Sequence, residues 1–334
     1  MNNDTRVLEN TETIETPFNF REKRKLIISD LGALSGLALV CIIVSILSPY
    51  FLTPTNLLNI LQQISIVSII AVGMTFVILG GGIDLSVGSI VAFTGLIMAG
   101  LMKNLNVNVW VTIPIGLICG CALGFLNGIM VAEFKLPPFI ATLGMMSIAR
   151  GAAFTISGGA PIYSLPQDFL NISGRIGIIP IPAVIMIVIF IIGGFVLKYT
   201  KLGRYTYAIG GNETASILSG INVRFFKTVI YTLSGLFCAI SSVLLTAKLD
   251  SAVPVAADGY ELDAIAAVVI GGTSMMGGEG KLSGTLIGAL IIGVVNNGLN
   301  LLTVPQGPQR MVKGVIIILA VCIDILRKSK RNLK

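Results

Sequence analysis

Three ionisable side chains lie within or beside long apolar stretches of the sequence. Asp84 falls in LGGGIDLSVGSIV between two apolar runs, Arg150 follows IATLGMMSIA, and Asp263 precedes AIAAVVI. An ionisable group at membrane depth is costly and usually marks a path for an ion or a polar solute. A proton relay needs several carboxylates or a histidine at that depth, and the chain has no histidine. So few ionisable groups argue against an ion-coupled carrier. Such a carrier stays open as the alternative.

Asp84 also has a structural interpretation. Three glycines break the apolar run before it, and a new helix can begin directly after it. The side chain of Asp84 or Ser86 can then cap that helix, where a carboxylate also favours the helix dipole. We favour this cap over a role as a solute ligand. A second glycine cluster follows residue 270, and broken helices of this kind serve as gates in transporters. The candidate gate residues are Gly80, Gly81, Gly82, Asp84, Ser86, Gly271 and Gly272.

The two glycine clusters stand in similar surroundings. VILGGGIDLSVGSIVAFTGLIMAGL and VVIGGTSMMGGEGKLSGTLIGALII share an apolar run, a glycine cluster and a stretch rich in small residues. Such matching breaks indicate an internal repeat. The ordinary abundance of glycine in membrane helices explains the likeness equally well.

Three amides occur in the apolar stretch VVNNGLNLL. Asn296 and Asn300 are four residues apart and share one helix face, and Asn297 is their neighbour. Amides suit a hydroxyl-bearing solute because they donate and accept hydrogen bonds without carrying a charge. Amides also hold membrane helices together. We favour this second interpretation and keep a pore-facing role as the alternative.

No catalytic or nucleotide-binding pattern is complete. The phosphate-loop pattern around Lys281 fails because Met275 and Leu282 stand where glycine and Ser or Thr belong, and Ser283 breaks the dinucleotide pattern. The five cysteines all lie in apolar runs and are expected to be buried small side chains. The sequence thus predicts no enzyme, no metal, no cofactor and no ATP bound by this chain. The energy for any transport must come from outside it.

The elements that position these residues are membrane helices. The 334 residues are 54% hydrophobic and only 12% charged, whereas soluble domains average about 25% charged residues. The stretch near 263–273 is too short to cross alone and is expected to be broken or re-entrant. The fold class is therefore an all-α polytopic membrane protein of about ten transmembrane helices, with eight or nine still possible. The predicted spans are 26–48, 60–79, 86–103, 109–132, 138–157, 180–198, 226–247, 263–273, 282–302 and 311–326.

Lysine and arginine set the orientation. Most of the 23 basic residues fall on one side if both termini are cytoplasmic. The predicted domains are a polar cytoplasmic tail at 1–25, a transmembrane domain at 26–327 and a basic cytoplasmic tail at 328–334. The net charge of +7 is then a topology signal, and a nucleic-acid partner is not expected.

Two polar loops connect the spans. The inner loop 198–227 contains a predicted short helix at Asn212–Leu218, with Asn212 as its N-cap and Gly220 after its end. The outer loop 248–264 is acidic. It suits either a soluble partner that docks outside or a solvated loop without a special role.

Several stretches resemble one family. These are ILQQISIVSIIAVGMTFVILGGGIDLSVGSIVAFTG, KLGRYTYAIGGNETASILSGINV, GYELDAIAAVVIGGTSMMGGEGKLSGTLIGALIIGVVNNGLNLL and VKGVIIILAVCIDILRK. They resemble the permease subunit of the ribose-type ABC sugar importers, over about residues 40 to 327. The resemblance implies a type II-like importer permease in the bacterial cytoplasmic (inner) membrane, with ribose favoured. Another sugar or the furanone signal remains open.

The resemblance also implies partners. The expected assembly has two permease chains, a homodimer being favoured. It adds a cytoplasmic ATP-binding protein with two nucleotide-binding domains, which binds ATP and Mg, and an extracytoplasmic sugar-binding protein. The positions matching the family's coupling loop to the ATPase are Gly203, Ala208, Gly211, Asn212, Glu213, Ala215 and Gly220. The acidic outer residues become candidates for docking the binding protein, namely Asp250, Asp258 and Glu261.

Overall fold

The computed structural model describes residues 20–332, and it describes side chains over residues 32–322. Residues 1–19 of the predicted tail 1–25 therefore lie outside the described residues. Residues 333–334 of the predicted basic tail also lie outside them. Within the described part the helices are α1 (Phe20–Leu47), α2 (Pro54–Leu79), α3 (Val87–Asn104), α4 (Val109–Ala132), α5 (Pro138–Ser157), α6 (Gln167–Leu170), α7 (Ile181–Tyr199), α8 (Lys201–Gly211), α9 (Glu213–Leu218), α10 (Val223–Leu249), α11 (Tyr260–Ile270), α12 (Leu282–Leu301) and α13 (Gln306–Asn332).

Seven helices of the described part are long and apolar enough to cross a membrane, namely α2, α3, α4, α5, α7, α10 and α12. The described apolar part of α1 runs only over Gly32–Leu47. The predicted span at 263–273 is α11, whose 11 residues reach about half of a bilayer core at roughly 1.5 Å per residue. A helix is present at each of the ten predicted spans, but a count of ten crossings is not confirmed.

Helix α2 forms the centre of the bundle. It packs against α7, α10, α11 and α12, and 83% of its most apolar stretch is buried, against 28% for α4 and for α5. Its start follows from local sequence, since Thr53 accepts a hydrogen bond from the Asn56 amide and Pro54 occupies the first turn.

Helix α4 approaches α10 through glycines spaced four residues apart. Added β-carbons on Gly120, Gly124 and Gly128 would collide with the α10 backbone or the Ala239 side chain, and Gly235 of α10 packs against the same stripe. Small residues at this spacing let the backbones of membrane helices come close together. The contact between these two helices is the most extensive in the fold.

The chain turns back into the bundle after α2. Gly73 of α2 packs against Ser234 of α10, and Asp84, eleven residues further along, bonds to that same serine. Segment 80–86 therefore returns past the end of α2 before α3 begins. Asp84 consequently lies level with the middle of the 27-residue α10.

The two glycine breaks end their helices in the same way. In each, the last turn closes with the paired hydrogen bonds of a Schellman motif, and Gly81 and Gly272 have φ angles of +80° and +86°. Helices α5, α9 and α12 end with the same pair of bonds, so the motif does not decide between an internal repeat and ordinary glycine usage. The matching bonds are Gly81 N–H to Ile78 O, Gly82 N–H to Val77 O, Gly272 N–H to Val269 O and Thr273 N–H to Val268 O.

Short strands join two connecting segments at one end of the bundle. Strand β1 (Ile162–Tyr163) pairs antiparallel with β4 (Ser251–Ala252), and β2 (Arg175–Ile176) forms a hairpin with β3 (Ile179–Pro180). The segment between α5 and α7 and the segment after α10 thus share an end, as the predicted topology requires of two outer loops.

Candidate functional sites

The predicted short helix of the inner loop is present as α9. Asn212 is its N-cap and accepts the Ala215 amide at 2.9 Å, and Gly220 follows its end with a φ of +80°. Its exposed side includes Ile217 and Leu218, which are 56% and 84% exposed. Two adjacent large apolar side chains exposed in a polar loop are a candidate contact surface.

The other predicted coupling residues lie along α8 and α9. Glu213 forms an ion pair with Lys227 of α10, with Oε2 and Nζ 2.6 Å apart. Gly203 packs so closely on the Leu197 backbone that a β-carbon would collide with it, whereas a β-carbon on Gly211 would meet no atom within 4 Å. The Ala208 carbonyl accepts a hydrogen bond from the Asn212 amide.

Sequence reasoning missed a junction of three glycines beside α8. Gly81, Gly210 and Gly277 touch through their backbones, and a β-carbon on Gly210 would collide with the Leu79 carbonyl. The Gly278 amide donates to that same carbonyl at 2.9 Å.

A side chain completes the junction. The Tyr207 hydroxyl of α8 donates to the Gly280 carbonyl at 2.9 Å. The structure therefore joins the helix preceding α9 to both glycine breaks. A run of glycines in each segment is the one sequence signal that could have found this junction.

Glycines at the second break have a packing role that the gate interpretation did not include. A β-carbon on Gly271 would collide with the Gly284 backbone, and one on Gly288 would collide with the Ala267 carbonyl. Helices α11 and α12 therefore touch along their backbones. A substitution at Gly271 changes this packing as well as any hinge.

Asp84 is fully buried, and polar groups surround its carboxylate. Oδ1 accepts the Ser86 amide at 3.0 Å and the Ser86 hydroxyl at 2.6 Å, and Oδ2 accepts the Ser234 hydroxyl at 2.9 Å. The Asn127 amide donates in turn to the Ser86 hydroxyl at 2.8 Å. Ser86 occupies the N-cap position of α3 but makes no side-chain cap bond. Of the two predicted caps, Asp84 is the one that binds a backbone amide at this helix start.

The three predicted pore-facing amides have different surroundings. Asn297 and Asn56 exchange two hydrogen bonds of 2.9 and 3.0 Å between α12 and α2. Asn296 donates to Asp263 at 3.2 Å, and Asn300 accepts from Gln309 at 3.0 Å. All three amides thus join α12 to another helix, as favoured, and Asn296 and Asn300 also line a cavity between α2, α11, α12 and α13.

The predicted acidic docking residues are engaged within the chain. Asp250 accepts the Leu165 amide at 2.8 Å, and Asp258 forms an ion pair of 2.6 Å with Arg310. Glu261 lies against Gly88 at the start of α3. Asp250 and Asp258 remain exposed, so they are still available to a partner.

Arg150 holds the segment that leads into α11. Its Nη1 donates to the carbonyls of Pro254 and Ala256 at 2.7 and 2.9 Å. The arginine of the apolar run therefore braces a turn that enters the bundle. Sequence reasoning placed Arg150 within the predicted span 138–157 but did not identify this partner.

Comparisons with known proteins agree on one family. A family model described as branched-chain amino acid transport system / permease component matches residues 56–321. The ribose import permease RbsC of Escherichia coli (strain K12) is 46% identical over 317 residues, which are 93% of this chain and 98% of the relative.

Two further relatives belong to the same group. RbsC of Bacillus subtilis (strain 168) is 49% identical over 89% of this chain and 93% of its own length. The D-allose transport system permease AlsC of Escherichia coli (strain K12) is 41% identical over 93% of this chain and 94% of its own length. No solved structure matches the chain.

Proposed function

Because this chain belongs to the permease family matched above, we propose that it is the membrane-spanning subunit of an ABC importer for ribose. The observation that carries the proposal is the 46–49% identity to ribose import permeases over nearly the whole chain. The lower identity to the allose permease, at 41%, favours ribose over that sugar.

The proposal includes the assembly. Two copies of this chain lie in the inner membrane with both termini in the cytoplasm. About ten helices of each copy cross the membrane. ATP and Mg bind a separate cytoplasmic subunit with two nucleotide-binding domains. A binding protein outside the membrane delivers the sugar to the end that carries β1, β4 and the exposed Asp250 and Asp258.

Helix α9 is proposed as the contact with the ATPase. Its exposed Ile217 and Leu218 are suited to an apolar groove on that subunit. A cleft beside α9, lined in part by Lys135, Glu213 and Arg224, offers charged groups at its rim.

Movement of α9 reaches the gates through α8. The glycine junction carries a displacement of α8 to the segments 80–86 and 271–281, because these backbones touch. Packed elements of this kind move as units between discrete arrangements. Access to the sugar path then alternates with the nucleotide state of the ATPase.

Reconstitution tests this function. Proteoliposomes that hold the permease and its ATPase, with the binding protein outside, should accumulate labelled ribose only when ATP is inside. A hydrolysis-deficient ATPase should abolish accumulation, and a proton uncoupler should leave it unchanged. Uptake driven by an imposed ion gradient without the ATPase would establish the carrier alternative. Parallel assays with allose, xylose and galactose identify the sugar.

A further inference from the structure

A cavity lined by both polar and apolar residues lies within the single chain. Its volume is about 80 Å³, and it lies where α2, α11, α12 and α13 meet, with an opening to the outside. Gln63 and Tyr260 line it from α2 and α11, and Gln309 lines it from α13. Arg310, the neighbour of Gln309, pairs with Asp258 of the segment that follows β4. The cavity thus lies near the bundle end proposed to receive the sugar.

Neighbouring amides on α12 show what distinguishes this cavity. The side chains of Asn297 and Asn56 satisfy each other through two hydrogen bonds. Asn296 lines the cavity, is 92% buried, and donates through Nδ2 to Asp263, but its Oδ1 has no hydrogen-bond partner among the described residues. A buried acceptor without a donor is destabilising, so a water molecule or ligand hydroxyl would stabilise this one.

The charge in the cavity is balanced. Asp263 forms an ion pair with Lys313, whose Nζ lies 2.9 Å from Oδ2, and their side chains are only 3% and 22% exposed. With one carboxylate and one ammonium in contact, the wall favours neither an anion nor a cation. The remaining polar groups are amides and a phenol, which match the hydroxyls of a neutral solute.

The size of the cavity is compatible with such a solute. A single buried water needs about 10–15 Å³, so the 80 Å³ of this cavity accommodates several waters, or one edge of a sugar ring whose remainder lies in the opening of the cavity. Hydroxyls of a ring can replace the hydrogen bonds of ordered waters, and that replacement conserves affinity.

We propose that this cavity is a sugar-binding site within each chain, in which Asn296 and Asn300 hydrogen-bond the hydroxyls of a neutral monosaccharide. The Asp263–Lys313 pair orients Asn296 through its Nδ2. The inference rests on the proposed import function and adds the residues that would hold the sugar.

Substitution of the two adjacent asparagines tests the site. In the reconstituted complex, Asn296→Leu keeps the branched shape and the number of side-chain heavy atoms and removes the amide. It should raise the half-saturating concentration of sugar-loaded binding protein or lower the import rate by roughly three- to tenfold, the range for one hydrogen bond. Asn297→Leu removes an amide that lies in the helix contact, so it should lower the unfolding temperature while leaving ribose and allose uptake in the wild-type ratio.

Labelling gives a readout that does not depend on transport. Gln63→Cys, in a chain whose five native cysteines are replaced by alanine, places a thiol in the cavity wall and leaves Asn296 and Asn300 in place. Ribose should slow maleimide labelling of this thiol, glycerol should not, and Asn296→Leu should abolish the protection.

The outcomes separate the two proposals. If the wild-type complex imports ribose but ribose gives no protection and Asn296→Leu imports normally, the cavity is not a sugar site while the import function stands. If another monosaccharide is imported and protects the thiol, the site is supported and the assignment of ribose is wrong.

Discussion

Asp84 shows how hydrogen bonds retain a buried carboxylate. A charge removed from water is destabilising unless hydrogen bonds compensate it. Here the Ser86 amide and the hydroxyls of Ser86 and Ser234 donate to the two oxygens. Through these bonds, one side chain joins the end of a glycine break, the start of α3 and the middle of α10.

Asp84→Asn should retain import at a reduced level. The amide oxygen can still accept the Ser86 backbone N–H, but the amide nitrogen cannot accept the Ser234 hydroxyl. We expect a loss of about three- to tenfold in ribose uptake, corresponding to one lost hydrogen bond. Asp84→Leu, which removes both acceptors, serves as the comparison. Complete loss of uptake in Asp84→Asn, in a complex of normal size on gel filtration, would instead indicate that the charge itself is needed.

Arg150 should contribute more to stability than Arg310. Arg150→Met removes two charge-assisted hydrogen bonds to Pro254 and Ala256, each worth about 1.5–3 kcal/mol, partly screened because the arginine is only half-buried. Arg310→Met removes an ion pair whose side chains are 69% and 52% exposed, where about 1 kcal/mol or less is usual. Thermal unfolding of the purified variants should show the larger decrease for Arg150→Met, and equal decreases would contradict the bracing role.

Among the elements, α8 connects the proposed ATPase contact with both glycine breaks. Helix α8 contacts the two breaks through Gly210 and Tyr207. A β-carbon added to Gly211, the residue after Gly210, would meet no atom within 4 Å. Two adjacent glycines of one helix therefore differ in surroundings while sharing the same backbone.

Gly210→Ala should uncouple ATP hydrolysis from import. The added methyl group collides with the Leu79 carbonyl and separates α8 from both breaks. We expect uptake to fall by at least tenfold while the ATPase, bound through α9, continues to hydrolyse ATP. Gly211→Ala is the matched control and should import at the wild-type rate. Equal uptake by the two variants would mean that the junction does not transmit the movement.

At the scale of the whole molecule, hydropathy and capping rules predicted much of the architecture. The start of α9 at Asn212 and the short helix after residue 260 both follow from local sequence, because caps and length depend on adjacent residues. Arg150 and Pro254, or Asn56 and Asn297, meet only after the bundle assembles. Local patterns therefore could not distinguish Asn296 from Asn297, nor predict that Asp84 reaches the middle of α10.

The outer faces of the bundle remain apolar. Large side chains such as Ile118 and Ile191 are 67% and 65% exposed on α4 and α7, whereas α2 is enclosed. In the proposed assembly, lipid and the second permease copy cover these faces, and the polar groups of the cavity stay inside one chain.

The meeting of Gly81, Gly210 and Gly277 has an evolutionary consequence. Main-chain atoms form that contact, so there is no side chain whose size could be adjusted in small steps. Every substitution at Gly210 adds at least a β-carbon, so this contact cannot be altered in small steps. The amides on α12 are under no such restriction. We therefore expect relatives of this chain to differ more readily at the amides on α12 than at Gly210.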